Sequence, residues 1–165
     1  MGRYDDIFAQ SHQTFRAPEK KKKADEANAA FDPQSVCADA REIAADFSYP
    51  LNGTESDLLN LDVILSRLHV DYENGNMEEP KLTNAAIIFG VYLGQLLLDL
   101  YMAKAGYSWD VSSGKPIVQL NENNSINPIN KVRKHIMNGE KDDILPFCKV
   151  AKMIAEGTFE PQIGE

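Results

Sequence analysis

The longest apolar run of the chain lies in Lys81–Gly106, with the sequence KLTNAAIIFGVYLGQLLLDLYMAKAG. Between Ala85 and Leu98 only Gln95 is strongly polar, and Asn84 and Asp99 flank the run. On a helical wheel these three polar residues fall within roughly 60° of one another, so nearly the whole circumference is apolar. The run is about 14 residues long, shorter than the ~20 residues of a membrane span. The pattern predicts a core helix surrounded by other elements.

Four further segments have apolar residues at helical spacing. The first is Pro33–Phe47, which follows an N-cap at Asp32. The second begins at the capping-box pattern Thr54–Asp57 and ends at Asn74-Gly75. The third runs from Asn127-Pro128 to Asn138 and the fourth from about Asp143 to Glu156. On the third of these, the basic residues are predicted to form the outer face: Lys131, Arg133, Lys134 and His135.

Two glycines, Gly90 and Gly94, lie one turn apart on the central helix. Each costs ~1 kcal/mol relative to alanine in a helix interior. We expect close approach by another backbone or by a bulky ring to compensate for this cost. The spacing also matches the dimerisation motif of membrane helices, but packing within the chain is the prediction for a core helix.

After Gly106 the apolar residues alternate with polar ones. The segment 107–111 and the segment Pro116–Leu120 are predicted strands, joined by a turn at Ser112–Lys115. Two strands alone are marginally stable, so the hairpin should lie against the central helix or pair with further strands. The segment Asn121–Ile126 is predicted to be a polar connection. The expected fold is α+β: a mainly helical single domain with a β-hairpin or small antiparallel sheet packed on the central helix.

The 165 residues allow one domain. We predict a weakly ordered leader over residues 1–30, a single α+β domain over 31–158 and a frayed tail over 159–165. The lysine run Lys20–Lys23 has no apolar partner face and is predicted to be a solvated linker; a short basic patch is the alternative. The N-terminus lacks the apolar region of a secretory signal, so cytoplasmic localisation is the default prediction.

The net charge of −8 argues against nucleic acid and anionic membranes as partners. The two cysteines, Cys37 and Cys148, show no metal-ligand spacing and are predicted to be buried free thiols. Of the three histidines, none stands beside a nucleophile motif, and His69 is predicted to lie at a helix edge. No phosphate-binding loop is present. The sequence therefore predicts no catalytic residue, no metal ligand and no cofactor.

The strongest candidate for a binding surface is the hairpin with the asparagine-rich segment that follows it. It would combine aromatic area with uncharged hydrogen-bonding groups, as binding surfaces do. The candidate residues are Trp109, Asp110, Asn123, Asn124 and Asn127. The alternative is that Trp109 anchors the sheet to the core and the asparagines form turns.

The order of three segments resembles a known family. They are FGVYLGQLLLD (Phe89–Asp99), the Gly-Tyr-x-Trp strand Gly106–Trp109, and NPINKVRKHIMNGEKDD (Asn127–Asp143). Together they resemble the bacterial domains of unknown function catalogued as DUF3806, over roughly residues 60–157. The family has no assigned activity, so the resemblance implies a fold and no catalytic residue. Similar small α+β domains occur among bacterial toxin-immunity proteins, which is analogy only.

The leading functional prediction is a non-enzymatic cytoplasmic module for protein interaction or regulation, similar to an immunity protein, with a protein partner. The alternative is a small-molecule-binding protein or enzyme with a pocket between the hairpin and the helix that starts at Asn127. A deep cavity lined by Trp109, Asp110 and Asn127 would favour the alternative. A flat apolar or acidic patch would favour the interaction module.

Overall fold

The fold was analysed in a computed structural model that describes residues 30–158. Within them the helices are α1 Pro33–Asp46, α2 Asp57–Glu73, α3 Glu79–Leu97, α4 Pro128–Asn138 and α5 Ile144–Glu156, and the strands are β1 Ser108–Asp110, β2 Ile117–Asn121 and β3 Asn124–Ile126. The predicted α+β, mainly helical domain with a small antiparallel sheet is confirmed. The predicted tail, and the predicted leader apart from Ala30, lie outside the described residues.

Helix α3 is the centre of the core, as its apolar circumference predicted. It continues through a π-helical turn at Leu98–Met102 and a 3-10 turn at Ala103–Ala105, and ends at Gly106 with φ 94°. By length and composition alone the 27-residue helix Glu79–Ala105 could cross a membrane, but 72% of its apolar window is buried inside the fold. Helices α1 and α4 both pack along it.

The start of α1 follows the sequence prediction. The Asp32 carboxylate accepts hydrogen bonds from the backbone N–H groups of Gln34 and Ser35, at 3.1 and 3.3 Å. These bonds satisfy two donors that the first helical turn otherwise leaves unpaired. The cap therefore fixes where α1 begins.

The start of α2 differs from the predicted capping box. The Ser56 side chain makes no cap bond. Asp57 is instead fully buried, and its carboxylate accepts from the backbone N–H groups of Asn52 at 2.9 Å and Gly53 at 2.7 Å, and from the hydroxyl of Tyr92. Asp57 thus joins the preceding loop to α3. The sequence showed the acid near the helix start but gave no sign of its long-range partner on α3.

Both glycines of α3 are sites of close approach, so the packing prediction is confirmed. A Cβ at Gly90 would overlap the Cα of Ile129 on α4, and a Cβ at Gly94 would lie 2.7 Å from Cζ2 of Trp109 and overlap the rest of its ring edge. The neighbour is a backbone at the first glycine and a bulky ring at the second. Glycine therefore sets how closely α4 and the sheet approach α3.

The three strands form one antiparallel sheet in the order β1-β2-β3. Val118 of β2 pairs with Trp109 on one side and with Ile126 on the other. The prediction of a mere connection over Asn121–Ile126 is therefore wrong, because its second half is β3. This short edge strand exposes Asn124 and Ser125, so it lacks the apolar alternation by which strands are recognised in a sequence.

The predicted basic outer face of α4 is wrong at one position. His135 is only 1% exposed, whereas Lys134 is exposed and Lys131 and Arg133 are partly exposed. Helix α4 packs against α3 on one side and α2 on the other. A helix covered on two sides buries positions that a one-sided amphipathic pattern assigns to solvent.

Candidate functional site

Two of the five predicted binding residues lie where the chain passes from β2 to β3: Asn123 in the turn and Asn124 at the first position of β3. The backbone N–H of Asn123 and the side-chain amide of Asn124 both donate to Oδ1 of Asn121, each at 3.0 Å. Both residues are exposed. Their hydrogen bonds stabilise the turn itself, which is a common role of asparagine.

The strand register separates these two residues from Asn127. Asn124 pairs with Asn121, whereas Ile126, directly before Asn127, pairs with Val118. Three residues of strand span roughly 10 Å. Asn127 therefore lies at the end of the sheet that carries the β1–β2 turn, and Asn123 and Asn124 lie at the opposite end.

Trp109 joins the sheet to α3. Its indole N–H donates to Oε1 of Gln95 at 3.0 Å, and its ring meets Phe31 edge to face with centroids 5.4 Å apart. The ring also covers Gly94. These contacts match the alternative interpretation of Trp109 as an anchor of the sheet.

Asp110 fixes the start of the β1–β2 turn. Its Oδ1 accepts from the backbone N–H of Ser112 at 3.0 Å, and its Oδ2 accepts from the Ser112 hydroxyl at 2.9 Å. The turn closes through the backbone N–H of Gly114, which donates to the carbonyl of Val111 at 2.9 Å. Gly114 has φ 87°, a conformation that favours glycine. The turn is thereby held beside the start of α4.

A cleft of about 540 Å³ lies between this turn, the first half of α3 and the first turns of α4. Its apolar surface comes from Ala86, Ile87, Pro116 and Ile129, and its polar surface from Glu79, Thr83, Lys115, Asn127, Asn130 and Arg133. It lies where the sequence put the alternative pocket, between the hairpin and the helix that starts at Asn127. Among the predicted site residues only Asn127 lines it.

Arg133 connects the two helical walls of the cleft. Its guanidinium forms an ion pair with Glu79 and donates to the Thr83 hydroxyl at 3.3 Å. Glu79 stands in the first turn of α3, where a carboxylate also meets the positive end of the helix dipole. The ion pair holds the guanidinium in place and leaves further N–H groups for a ligand.

The opposite wall of the cleft carries a cation that is not neutralised. Lys115 is exposed on the turn and makes no ion pair with a residue between 30 and 158. Asn127 caps α4 by accepting from the backbone N–H of Asn130 at 3.0 Å, so its amide nitrogen remains a donor at the positive end of α4. Among the described residues that line the cleft, two cations and one carboxylate therefore give a positive surplus, although the whole chain carries −8.

A second polar cluster lies on the other side of α4. His135 comes two positions after Arg133, roughly 200° around the helix, and meets Asp62 of α2 and Asp143, the N-cap of α5. One ligand-type atom from each residue lies within 4.8 Å of the others. Burial and the neighbouring Asp143 carboxylate raise the pKa of Asp62. Sequence reasoning missed this cluster, because its members come from three elements and His135 had been assigned to solvent.

The cysteines carry no reactive site. Both are buried and free, as predicted. Burial raises the pKa of the Cys37 and Cys148 thiols to about 12. Because the thiolate is the reactive form, both are inert packing residues at neutral pH.

Comparisons with protein-family models, with curated proteins and with solved structures gave no significant match. The resemblance to the DUF3806 domains therefore stays a prediction, as does the cytoplasmic location.

Proposed function

We propose that the protein binds a small organic anion, a carboxylate or phosphate compound, in the cleft between α3, the β1–β2 turn and α4. The observation that supports this most is the cleft itself, whose volume of about 540 Å³ falls within the roughly 300–1,000 Å³ of small-molecule sites. Such sites combine an apolar surface with a few polar groups that orient the ligand. Here the apolar surface comes from Ala86, Ile87 and Ile129, and the orienting polar groups are the cations and amides of the cleft.

The charges support an anionic ligand. Lys115 has no acidic partner among the described residues and is the natural contact for a negative group. Arg133 is already oriented by Glu79 and Thr83, so its binding of an anion costs little side-chain entropy. The N-terminus of α4 adds a partial positive charge.

The proposal is one of binding rather than of a reaction. Among residues 30–158, those that line the cleft include neither histidine nor cysteine, the side chains that most often act as proton carrier or nucleophile at neutral pH. The sequence likewise predicted no catalytic residue. A binding or sensing role follows from these groups.

Isothermal titration of the purified protein with phosphate, citrate and a panel of mono- and dicarboxylates tests the proposal. We expect saturable binding of at least one compound, weakened at least tenfold in Lys115→Ala because the charge contact is lost. The matched control is Lys149→Ala, which removes an exposed lysine of α5 outside the cleft. No saturable binding, or equal affinity in Lys115→Ala, would contradict the proposal.

A protein-interaction or immunity-like module, the leading prediction from the sequence, is the second candidate. It is favoured by two exposed apolar side chains of α2, Leu59 at 62% and Val70 at 56% exposure. They are eleven positions apart, which places them on the same face of a helix. A partner that binds this face should be captured by the wild type and by Lys115→Ala, but not by a Leu59→Lys, Val70→Lys double variant.

A further inference from the structure

We propose that Asp62, His135 and Asp143 form a binding site for a divalent transition-metal ion such as Zn²⁺. The three residues come from α2, α4 and the N-cap of α5, and one donor atom of each lies within 4.8 Å of the others. Nε2 of His135 is 3.9 Å from Oδ1 of Asp62. The site is separate from the cleft and does not depend on the proposed anion binding.

The hydrogen bond on the far side of the imidazole fixes its tautomer. Nδ1 of His135 lies 3.3 Å from the backbone carbonyl of Asp142. A carbonyl oxygen can only accept, so Nδ1 carries a proton. In a neutral ring Nε2 is then the lone-pair nitrogen. Metal-binding histidines commonly donate their other N–H to a backbone carbonyl in this way.

The lone-pair nitrogen is buried without a hydrogen-bond partner. His135 is 1% exposed, and its Nε2 has no partner among residues 30–158. The nearest charged group is the carboxylate of Asp62. A lone pair facing a carboxylate is repulsive, and buried polar groups are rarely left unpaired. A cation between the two groups removes both problems.

The carboxylates point to the same conclusion. Asp143 is held in place because its Oδ1 accepts from the backbone N–H of Leu145 at 2.9 Å, which caps α5. One carboxylate oxygen of Asp62 lies within 4.8 Å of one of Asp143. Two adjacent carboxylates repel unless they share a proton or a cation. Asp62 is 27% exposed, so an ion can reach the site from solvent.

The donor set selects the class of metal. One imidazole nitrogen and two carboxylate oxygens suit Zn²⁺ and its neighbours, whereas Mg²⁺ and Ca²⁺ prefer oxygen ligands throughout. Tetrahedral Zn²⁺ places its ligand atoms roughly 3.3 Å apart, so the 4.8 Å limit requires a contraction. The partly exposed Asp62 side chain can supply this movement. Water would complete the coordination.

The test uses untagged protein freed of metal with a chelator and titrated with Zn²⁺ alone against a chromogenic competitor. Co²⁺, titrated separately, reports the coordination through its visible absorption. We expect saturation at one equivalent in the wild type. Affinity should fall by roughly 100-fold or more in His135→Gln and in Asp62→Asn, since each removes a ligand.

The matched control is His69→Gln. His69 lies on α2, and its Nδ1 already bonds the carbonyl of Ile136 at 2.7 Å. This variant and Lys115→Ala should bind Zn²⁺ like the wild type, and the second separates the metal site from the cleft. The proposal is overturned if the wild type shows no saturable binding. It is also overturned if His69→Gln loses as much affinity as Asp62→Asn, or if Asp62→Asn and His135→Gln lose none.

Discussion

Two aspartates of helix α2 have opposite surroundings. Asp57, at its start, is fully buried, and its carboxylate accepts from the N–H groups of Asn52 and Gly53 and from the hydroxyl of Tyr92. Asp62, five positions later and 27% exposed, has a carboxylate oxygen within 4.8 Å of one of Asp143. Donors therefore surround the first carboxylate, and a second anionic group stands beside the other.

The difference shows that burial alone does not mark a functional carboxylate. A buried acid whose lone pairs are matched by donors holds the fold together. A partly exposed acid beside another acid and an unpartnered imidazole nitrogen needs a proton or a cation to complete it. We assign a structural role to Asp57 and the metal-binding role to Asp62. The following substitutions test that division.

Replacement of Asp57 should have the largest effect. Asp57→Ala leaves the Asn52 N–H and the Tyr92 hydroxyl without their acceptor. It also removes the nearer of two acceptors from the Gly53 N–H, the other being the Tyr92 oxygen at 3.2 Å. Stranding buried donors of a charged network costs roughly 3–5 kcal/mol of unfolding free energy. Urea denaturation measures it, with Asp71→Ala on the same helix as the control. A loss of unfolding free energy below about 1 kcal/mol would contradict the structural role of Asp57.

Gly90→Ala should have the next largest effect, because it moves α4, the helix that brings His135 to Asp62. The added Cβ would overlap the Cα of Ile129. Because a backbone cannot rotate away as a side chain can, we expect a cost of about 3 kcal/mol, the upper end of the usual range for overpacking. Urea denaturation measures the stability, and Zn²⁺ titration should show weaker binding. The hydrogen bonds of Asp57 involve no residue of α4 and should persist.

A pair of double variants controls this prediction. At Gly90 the obstacle is backbone, so adding Ile129→Ala should not restore the stability lost in Gly90→Ala. At Gly94 the obstacle is the ring edge of Trp109, so Trp109→Leu should partly restore a Gly94→Ala variant. Rescue at Gly90 by Ile129→Ala would mean that the two backbones are not in fixed contact.

The sequence predicts the parts of the fold that leave a periodic signal. The core helix, the β1–β2 hairpin and the contacts of Gly90 and Gly94 follow from apolar spacing and from the cost of glycine in a helix. The strand β3 leaves no such signal, because Asn124 and Ser125 are both exposed. Periodicity therefore describes how elements form but misses polar edges.

The candidate sites were harder to predict for a different reason. His135 was assigned to a solvated face because a helical pattern does not reveal that α2 covers α4 as well. Asp62 and Asp143 are separated by 81 positions in the sequence, and no local spacing connects them. The cleft lies between the two elements named for the alternative pocket, but of the lining expected there it has Asn127 and neither Trp109 nor Asp110, and Lys115 and Glu79 were not named as site residues. Contacts between distant elements decide both sites.

Tyr92→Phe should have an intermediate effect, because it removes one donor to Asp57 and also an acceptor of the Gly53 N–H at 3.2 Å. Loss of a hydrogen bond to a charged group costs roughly 1.5–3 kcal/mol. Burial and the hydrogen bond to Asp57 raise the pKa of Tyr92 above its ordinary 10.0. The folded state therefore holds the proton more tightly than the unfolded state. The contribution of the Tyr92 proton to the unfolding free energy is therefore complete below pH 10 and is lost as pH rises above 10.

The pH dependence supplies the control for Tyr92. Urea denaturation between pH 9 and 11 should show a steeper decline for the wild type than for Tyr92→Phe, with a difference approaching about 1.4 kcal/mol per pH unit above pH 10. The thiols of Cys37 and Cys148 also have pKa values raised to about 12. Their contribution to the unfolding free energy falls equally in the two proteins, so it cancels in the difference. Parallel curves would show that the hydrogen bond between Tyr92 and Asp57 does not stabilise the folded state in this way.

Asp62→Asn should have the smallest effect on the metal-free protein, and it separates the two aspartates most directly. The amide removes the repulsion between Asp62 and Asp143 and can donate to the Asp143 carboxylate. We expect a change in unfolding free energy between zero and about 1 kcal/mol of stabilisation. With Zn²⁺ present the wild type should instead be the more stable protein. An ion that binds only the folded state adds RT ln(1 + [Zn²⁺]/Kd) to the unfolding free energy of the wild type and nothing comparable to that of the variant. Urea denaturation with and without Zn²⁺ measures both. A metal-free loss above about 2 kcal/mol would mean that Asp62 is as well partnered as Asp57, and the two carboxylates would then share one structural role.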